Sequence, residues 1–504
     1  MTRPRLPCRH PAVPLSLALA LSATGCAWIP DGGQRAELAA PPGMDSALAP
    51  AREQAPLPVS DLWPDDRWWR RFGSAELNGL MDTALRDNPG LKAAAARMRQ
   101  AQALATVEGA RLLPFLDAQA EVQNARFSEH GFNFPLRGQN IVAAMINPLS
   151  LRYQFDFWGK NRASLEAALG EAAAEQAEQA ETRLQLTAAI ARGYFRGTAL
   201  RQQLELTRTM AAVQNELREI AETRFRLGLD SADPVKQAAT ELEALAKREA
   251  NVRDRLDVQR HLLARLAGSG PDALQQLFVS PAAVPAEISL PPHLPLELLA
   301  HRPDLAAALH RAEAAAQRIQ VAKANFLPTV DLTAFVGLNA LRMTKGASAL
   351  ANLLFSGSSF AYGVAPGVKL PIFEGGRLRG ELSVQRAEYD EAVELYNDTL
   401  LQAVQETADG LSGWRQSSAE AAAQSRLLAH QREALELAQQ RLRSGLDDRR
   451  PALSQRYAVL NQEYALKSLE AERLVAMADL IEALGGGYAG GPSNTDAQRP
   501  QDEL

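Results

Sequence analysis

Arg224-Phe225-Arg226-Leu227-Gly228-Leu229-Asp230 returns 217 residues later as Arg441-Leu442-Arg443-Ser444-Gly445-Leu446-Asp447. Pro234 and Pro451 keep that offset, Gly159 aligns with Gly375 at 216, and Leu113-Pro114 and Asn88-Pro89 align with Leu327-Pro328 and Arg302-Pro303 at 214. A period near 215 that drifts by three is far longer than the ~20–50 residue units of a solenoid. It marks two half-molecules of like build.

Within each half the pattern reads helix, two strands, a very long helix, a tight turn and another helix. The first repeat, 61–268, carries helices at 75–111, 160–227 and 235–267 and strands at 115–126 and 148–157. The second, 297–487, carries helices at 303–326, 377–444 and 451–484 and strands at 329–339 and 360–372, with 269–296 joining the two. Pro114 and Pro328 end the first helices, since proline cannot extend one. Gly228 and Gly445 supply the left-handed stop of the long ones. A helix of about 68 residues is roughly 100 Å long and needs lateral partners. The two shorter helices of a half together nearly match it, so they are expected to stack end to end beside it. Alanine-rich runs at 165–180 and 419–423 permit close contact. A solvated coiled coil would share this composition but leaves the strands unexplained.

The strands alternate with period two. Leu149, Leu151, Tyr153, Phe155 and Phe157 interleave with Ser150, Arg152, Gln154 and Asp156; Val330, Leu332, Val336 and Leu338 oppose Asp331, Thr333 and Asn339. Phe360, Tyr362, Val364, Val368, Leu370 and Ile372 likewise face away from Ala361, Gly363, Gly367 and Lys369, and the first strand is the most polar, with Asp117, Gln119, Glu121 and Gln123 on one face. A sheet on a soluble core would alternate too. Strand lengths near the ~9–11 residues of a tilted bilayer crossing, and aromatics toward strand ends, favour a membrane. Four strands cannot close a pore, because bilayer barrels begin at about eight and an open edge in lipid leaves backbone groups unpaired. Several copies must therefore share one wall, and the physics allows two, three or more.

The N-terminus reads as a targeting segment: Arg3, Arg5 and Arg9 precede an apolar run, Val13 to Leu21, too short to span a bilayer. Ala23-Thr24-Gly25-Cys26 resembles a lipoprotein cleavage box, with Ala in place of the usual Leu at its first position, so residues 1–25 are expected to be removed and Cys26 acylated. An ordinary signal peptide with an incidental Cys is the alternative. Ala27 after the Cys fits delivery to the outer membrane, and loss of three arginines shifts the net charge from -5 to -8. Residues 26–60, rich in Ala, Pro and Gly, read as a lipid-anchored linker leading away from the anchor, and 488–504 as a flexible tail. With 54 basic against 59 acidic residues and no basic run, nucleic acid is excluded as a partner. Cys8 and Cys26 alone cannot build a zinc site or a disulfide scaffold.

His301-Arg302-Pro303-Asp304-Leu305, Asn325-Phe326-Leu327-Pro328, Leu370-Pro371-Ile372-Phe373-Glu374-Gly375-Gly376-Arg377 and Phe155-Asp156-Phe157-Trp158-Gly159 together resemble the outer-membrane efflux protein family, the TolC-like group, in its lipoprotein (NodT-type) branch. The resemblance covers nearly all of residues 60–487. It implies a mainly α chain with a transmembrane β-barrel: a homotrimer forming a twelve-strand barrel in the outer membrane and a twelve-helix periplasmic tunnel. It also implies an exit duct for drugs or other small molecules, working with a periplasmic membrane-fusion adaptor and an inner-membrane efflux pump. In that family the turns farthest from the barrel receive the adaptor. Here those are Arg224, Leu227, Gly228, Leu229 and Asp230, with Arg441, Gly445, Leu446 and Asp447 in the second copy. Plain helix capping would explain the glycines but not the repeated Leu-Asp. Many relatives narrow the tip with acidic side chains where this chain has Pro451 and Ser454. Asp447, Asp448, Arg449 and Arg450 stand nearby instead, which suggests an aperture gate of interchain Asp–Arg pairs; a solvated charge cluster is the competing reading.

No enzyme signature stands out: there is no His-Glu-x-x-His, no Gly-x-Ser-x-Gly and no phosphate loop. Gly485-Gly486-Gly487-Tyr488-Ala489-Gly490 formally fits a dinucleotide pattern but follows a helix, not a strand. No cofactor is expected beyond the lipid on Cys26. A non-pore periplasmic adaptor or coiled-coil scaffold is the rival from another class, and a type I protein-secretion duct is the nearer alternative.

Overall fold

The computed structural model describes residues 29–30, 35–43, 65–130, 137–278, 301–342 and 354–488. The signal peptide, Cys26, most of the linker, the end of the inter-repeat connection and the tail from 489 lie outside the described residues. The elements are α1 (Ala75–Asp87), α2 (Pro89–Ala110), β1 (Phe115–Arg126), β2 (Asn140–Phe155), α3 (Lys160–Arg226) and α4 (Asp233–Leu266), then α5 (Pro303–Ala324), β3 (Thr329–Arg342), β4 (Phe360–Lys369), α6 (Arg377–Arg443) and α7 (Arg449–Ala483). Each of the two longest helices, α3 and α6, has 67 residues.

Besides β4, which ends at Lys369 rather than 372, two element boundaries are corrected. The helix expected over 75–111 is two helices. Pro89 has no N–H to donate and forces Asn88 out of the helical region, to φ -59 and ψ 123. The Asn88 side chain then caps α2 by accepting from the Leu91 N–H at 2.9 Å. The second correction is to β2, which starts at Asn140 rather than 148. Pro148 reads as a strand start, but it sits in a bulge. The β1 register jumps between Asp117 and Gln119, and the β3 register between Ile146 and Leu149, so an extra residue of β2 is accommodated there.

The chain divides into two compact units. The first, built on 99–172 and 310–394, holds one four-stranded sheet in the order β1-β2-β3-β4, every neighbour antiparallel. Asp156, expected on the polar face of a strand, ends β2 and caps α3 instead. Its two carboxylate oxygens accept from the backbone N–H groups of Asn161 at 3.0 Å and Arg162 at 2.9 Å. In this unit Ile29 packs against Ile319, Ala322 and Leu382. Arg386 donates to the Pro30 carbonyl at 2.7 Å, and the Ala36 N–H donates to Asp390 at 3.0 Å.

The second unit is helical, and its core is aromatic. Trp68, Trp69 and Phe72, in a short 3-10 turn that carries no periodicity of its own, are fully buried with Tyr194, Phe195 and Phe278. Burying three such side chains stabilises by roughly 2–3 kcal/mol each, enough to hold an otherwise featureless segment. Here Asn397 accepts from the Ala39 N–H at 2.8 Å. The described parts of the linker are therefore fastened to α6, rather than leading away as the composition suggested.

The duplication extends to the joint that closes each repeat. Asn88 donates to the carbonyl of Leu266, the last residue of α4, at 2.8 Å. Its counterpart Arg302 donates to the carbonyl of Ala483, the last residue of α7, at 3.1 Å. Just beyond, Gly268 and Gly485 turn the chain with φ of +74° and +85°. At Gly268 a Cβ would lie 2.6 Å from the Asp87 carbonyl oxygen. Both the left-handed backbone and the contact exclude a side chain. Gly268→Ala should destabilise the protein by about 2–4 kcal/mol, whereas Gly270→Ala, where nothing lies within 4 Å, should change it by no more than ~0.5 kcal/mol. Thermal unfolding of the purified variants compares the two, and equal midpoints would contradict the role given to the joint.

Candidate functional site

Directly opposed residues in a sheet point to the same side. One row across all four strands is Leu116, Leu151, Ala334 and Val364; the next is Asp117, Ser150, Phe335 and Gly363. Further rows on the first side are Phe155, Val330 and Val368, then Tyr153, Leu332 and Pro366, then Leu149, Val336 and Tyr362. Beyond the bulge Ile146, Leu338 and Phe360 continue that side. The bulge thus shifts the apolar positions of β2 from odd to even numbers, so that one face stays apolar along its whole length. The opposite face carries Gln119, Glu121, Gln154, Asp331 and Thr333, and Arg152 reaches Asp117 on it at 2.8 Å.

Val142, Ala144 and Ala340, at the far end of the apolar face, are buried with Leu354, but toward β4 the face is not a covered core. Tyr362, Val364 and Val368 are 74%, 68% and 72% exposed. A continuous apolar surface of this extent is unfavourable in water and suited to lipid. Aromatic rings gather near its end, with Phe155 stacked on Phe157 at 5.5 Å between centroids and Tyr153 edge-on to Phe155 at 4.9 Å. Trp158 beside them donates to the Pro328 carbonyl at 2.7 Å.

The two turns at the ends of α3 and α6 are built alike. The Leu229 N–H reaches back to the Arg224 carbonyl and the Gly228 N–H to that of Phe225, at 2.9 and 3.0 Å. Leu446 to Arg441 and Gly445 to Leu442 repeat this at 2.9 and 3.1 Å. This double closure needs a left-handed residue, and Gly228 and Gly445 both have φ +69°. Each turn is then pinned by the same charge pair, Arg224 Nε to Asp230 at 2.5 Å and Arg441 Nε to Asp447 at 2.8 Å. The capping leaves Leu227, Leu229 and Leu446 pointing outward, exposed by 68%, 60% and 73%.

The residues expected to form a gate fall beside these turns. Asp448 caps α7 by accepting from the Arg450 N–H at 2.9 Å, and it pairs with the Arg450 guanidinium at 2.8 Å. Arg450 also reaches Asp230 at 3.6 Å, and Arg449 reaches Glu216 at 3.1 Å, so both arginines tie the second hairpin to the first. Ser454 is exposed, one turn into α7. Within the chain, then, Asp447, Asp448, Arg449 and Arg450 all have partners. The cross-hairpin roles of Asp230 and Glu216 carry no signal in the sequence, since their partners Arg450 and Arg449 lie 220 and 233 residues away.

A profile of the outer membrane efflux protein family matches residues 80–269 and again 294–486. The multidrug resistance outer membrane protein MdtP of Shigella flexneri is 30% identical over 86% of this chain and 89% of its own. The pyoverdine export outer membrane protein OpmQ of Pseudomonas putida is 30% identical over 97% and 98%. Among solved structures, the outer membrane protein VceC of Vibrio cholerae is 33% identical, with a TM-score of 0.73 over 84% of this chain and all of that one. The chain belongs to the outer membrane efflux protein family, a family of transport channels, and its place is the outer membrane.

The guanidiniums of Arg224 and Arg450 hold the Asp230 and Asp448 carboxyls below the usual carboxylate range. A depressed carboxyl pKa contributes stability above the unfolded value, and that contribution is lost as pH falls through the folded one. The tip should therefore keep its form from pH 8 to pH 5 and change only below about pH 4. Spin labels at Ala232→Cys and Ser444→Cys report it; a distance change between pH 8 and pH 5 would contradict the pairing.

Proposed function

We propose that this member of the outer membrane efflux protein family is the exit duct of a tripartite efflux system, passively conducting drugs or other small molecules across the periplasm and outer membrane. Three copies supply it, closing their sheets into one twelve-strand barrel and assembling their helices into a twelve-helix periplasmic tunnel. The observation that carries this reading is the sheet itself. One face is apolar and, toward β4, exposed; the other is polar, and among the described residues β1 and β4 each pair on one side only. In lipid a bare twelve-residue edge such as β1 leaves about half its N–H and C=O groups unpaired, at several kcal/mol each. The sum, on the order of tens of kcal/mol, exceeds the roughly 4–15 kcal/mol that association costs, so pairing β1 of one copy with β4 of the next wins. The number three comes from the family resemblance. Acylation of Cys26 would add an anchor in the same membrane.

The energy comes from an inner-membrane pump, and a periplasmic membrane-fusion adaptor links pump to duct at the outward leucines of the two turns. Relatives named for multidrug resistance and pyoverdine export support a small-molecule cargo. The aperture is held within each chain, through Arg450 to Asp230 and Arg449 to Glu216.

Purified protein should conduct in planar bilayers and migrate as a heat-sensitive oligomer; a monomer without conductance would overturn the duct. Leu229→Asp with Leu446→Asp should abolish adaptor cross-linking while conductance persists. Exposed ion pairs are screened at a Debye length of about 8 Å in physiological salt. Arg449→Ala with Arg450→Ala should therefore raise conductance at low salt and have little effect at high salt. Unchanged conductance at every salt concentration would remove the aperture assignment.

A further inference from the structure

The two joints that close the repeats are built from different chemistry. The first is neutral: Asn88 alone bridges to Leu266. The second places Arg302, only 5% exposed, beside a cavity of about 690 Å³. Arg302 is fully engaged. Its guanidinium donates to Asp304 at 3.0 and 2.6 Å, to Glu406 at 2.8 Å and to the Ala483 carbonyl.

Around the same cavity stand more carboxylates than this cation can balance. Helix α7 contributes Asp479 and Glu482, both already bound by Arg192 of α3, the former at 2.8 Å. Helix α6 adds Asp409 alongside Glu406. Helix α3 adds Glu181, whose one bond is from the neutral Gln185 amide at 2.7 Å. Glu181, Asp304, Glu406, Asp409, Asp479 and Glu482 face two guanidiniums, Arg302 and Arg192, and two of the six are bonded to neither: Glu181, and Asp409, which accepts from the Gln405 amide at 3.3 Å.

We infer that the second joint is a proton-responsive clasp: with Glu181 protonated the start of α5 closes on α6 and α7, and with Glu181 ionised that closure loosens. Burial, reinforced by the neighbouring Asp304 carboxylate, raises the Glu181 carboxyl to about 7. For a carboxyl raised on closing, the closed form holds a proton that the open form releases. Closure is therefore strongest below the ordinary glutamate value and weakens as pH rises toward 7, levelling off above it. The first joint has no such group and serves as an internal control.

Hydrogen–deuterium exchange of the full-length protein in detergent tests this, with protection factors corrected for the intrinsic pH dependence of exchange. Between pH 6 and pH 8, protection at Leu305 to Leu309 should fall by about tenfold, while that at Leu91 to Ala95 stays constant. Glu181→Gln, which fixes the neutral form at a site that favours it, should remove the difference. Equal behaviour of the two joints in the parent protein would overturn the inference without any variant, as would a pH dependence that survives Glu181→Gln.

Discussion

A strand edge in hydrocarbon has nowhere to place its hydrogen bonds, and the rest of this molecule follows from that. In the proposed barrel, two strands per repeat are too few to close the wall, so duplication yields four and association supplies the remainder. Every pair in the sheet is antiparallel and connected in sequence order, which places β1 and β4 at the margins as complementary edges. The bulge at Asn147-Pro148 serves the same constraint. Proline cannot donate to a ladder, yet the chain accommodates it mid-sheet by adding a residue, and this re-phases β2 so that its apolar side chains stay on one face. A one-residue slip without the bulge would have turned half of β2 polar side out into lipid.

Much of this was legible because it is periodic or repeated. The 217-residue echo around Gly228 and Gly445 located both turns, and their identical double closure shows why the echo persists: a left-handed residue followed by a reach-back N–H admits few alternatives. Features that depend on partners distant in sequence were not legible. Pro89 was a landmark of the repeat before it was a helix break, since only the Asn88 bond to Leu266 reveals that the chain bends there to meet another helix. Residues 35–43 looked like linker because their order resides in the side chains of Asp390 and Asn397 on α6. Asp156 fitted the alternation of a strand yet spends both oxygens on a helix start.

The two halves also show what duplication leaves free to diverge. Backbone requirements are retained: Gly268 and Gly485 occupy the same crowded corner, one against the Asp87 carbonyl and the other against that of His301. The bridging side chain is not retained, being a neutral amide in one half and a buried guanidinium in the other. A buried ion pair is weak evidence for stability, because desolvation offsets much of its attraction. Arg302 with Asp304 and Glu406 therefore adds little that Asn88 does not already supply mechanically. What it does add is dependence on charge, the one property the first joint lacks.

Charge is distributed along the helical unit in the same way. At the turns, Arg224 with Asp230 and Arg441 with Asp447 form matched pairs on exposed surface, where screening by water keeps each contribution small and reversible. At the second joint Arg302 is buried, the carboxylates around it are partly so and outnumber the guanidiniums, and their balance shifts with protonation. The sheet is held by backbone hydrogen bonds, whereas the turns are pinned by ion pairs that salt can weaken. The leucines left outward at both turns complete that division, because a partner can bury them without breaking any bond that shapes the turn.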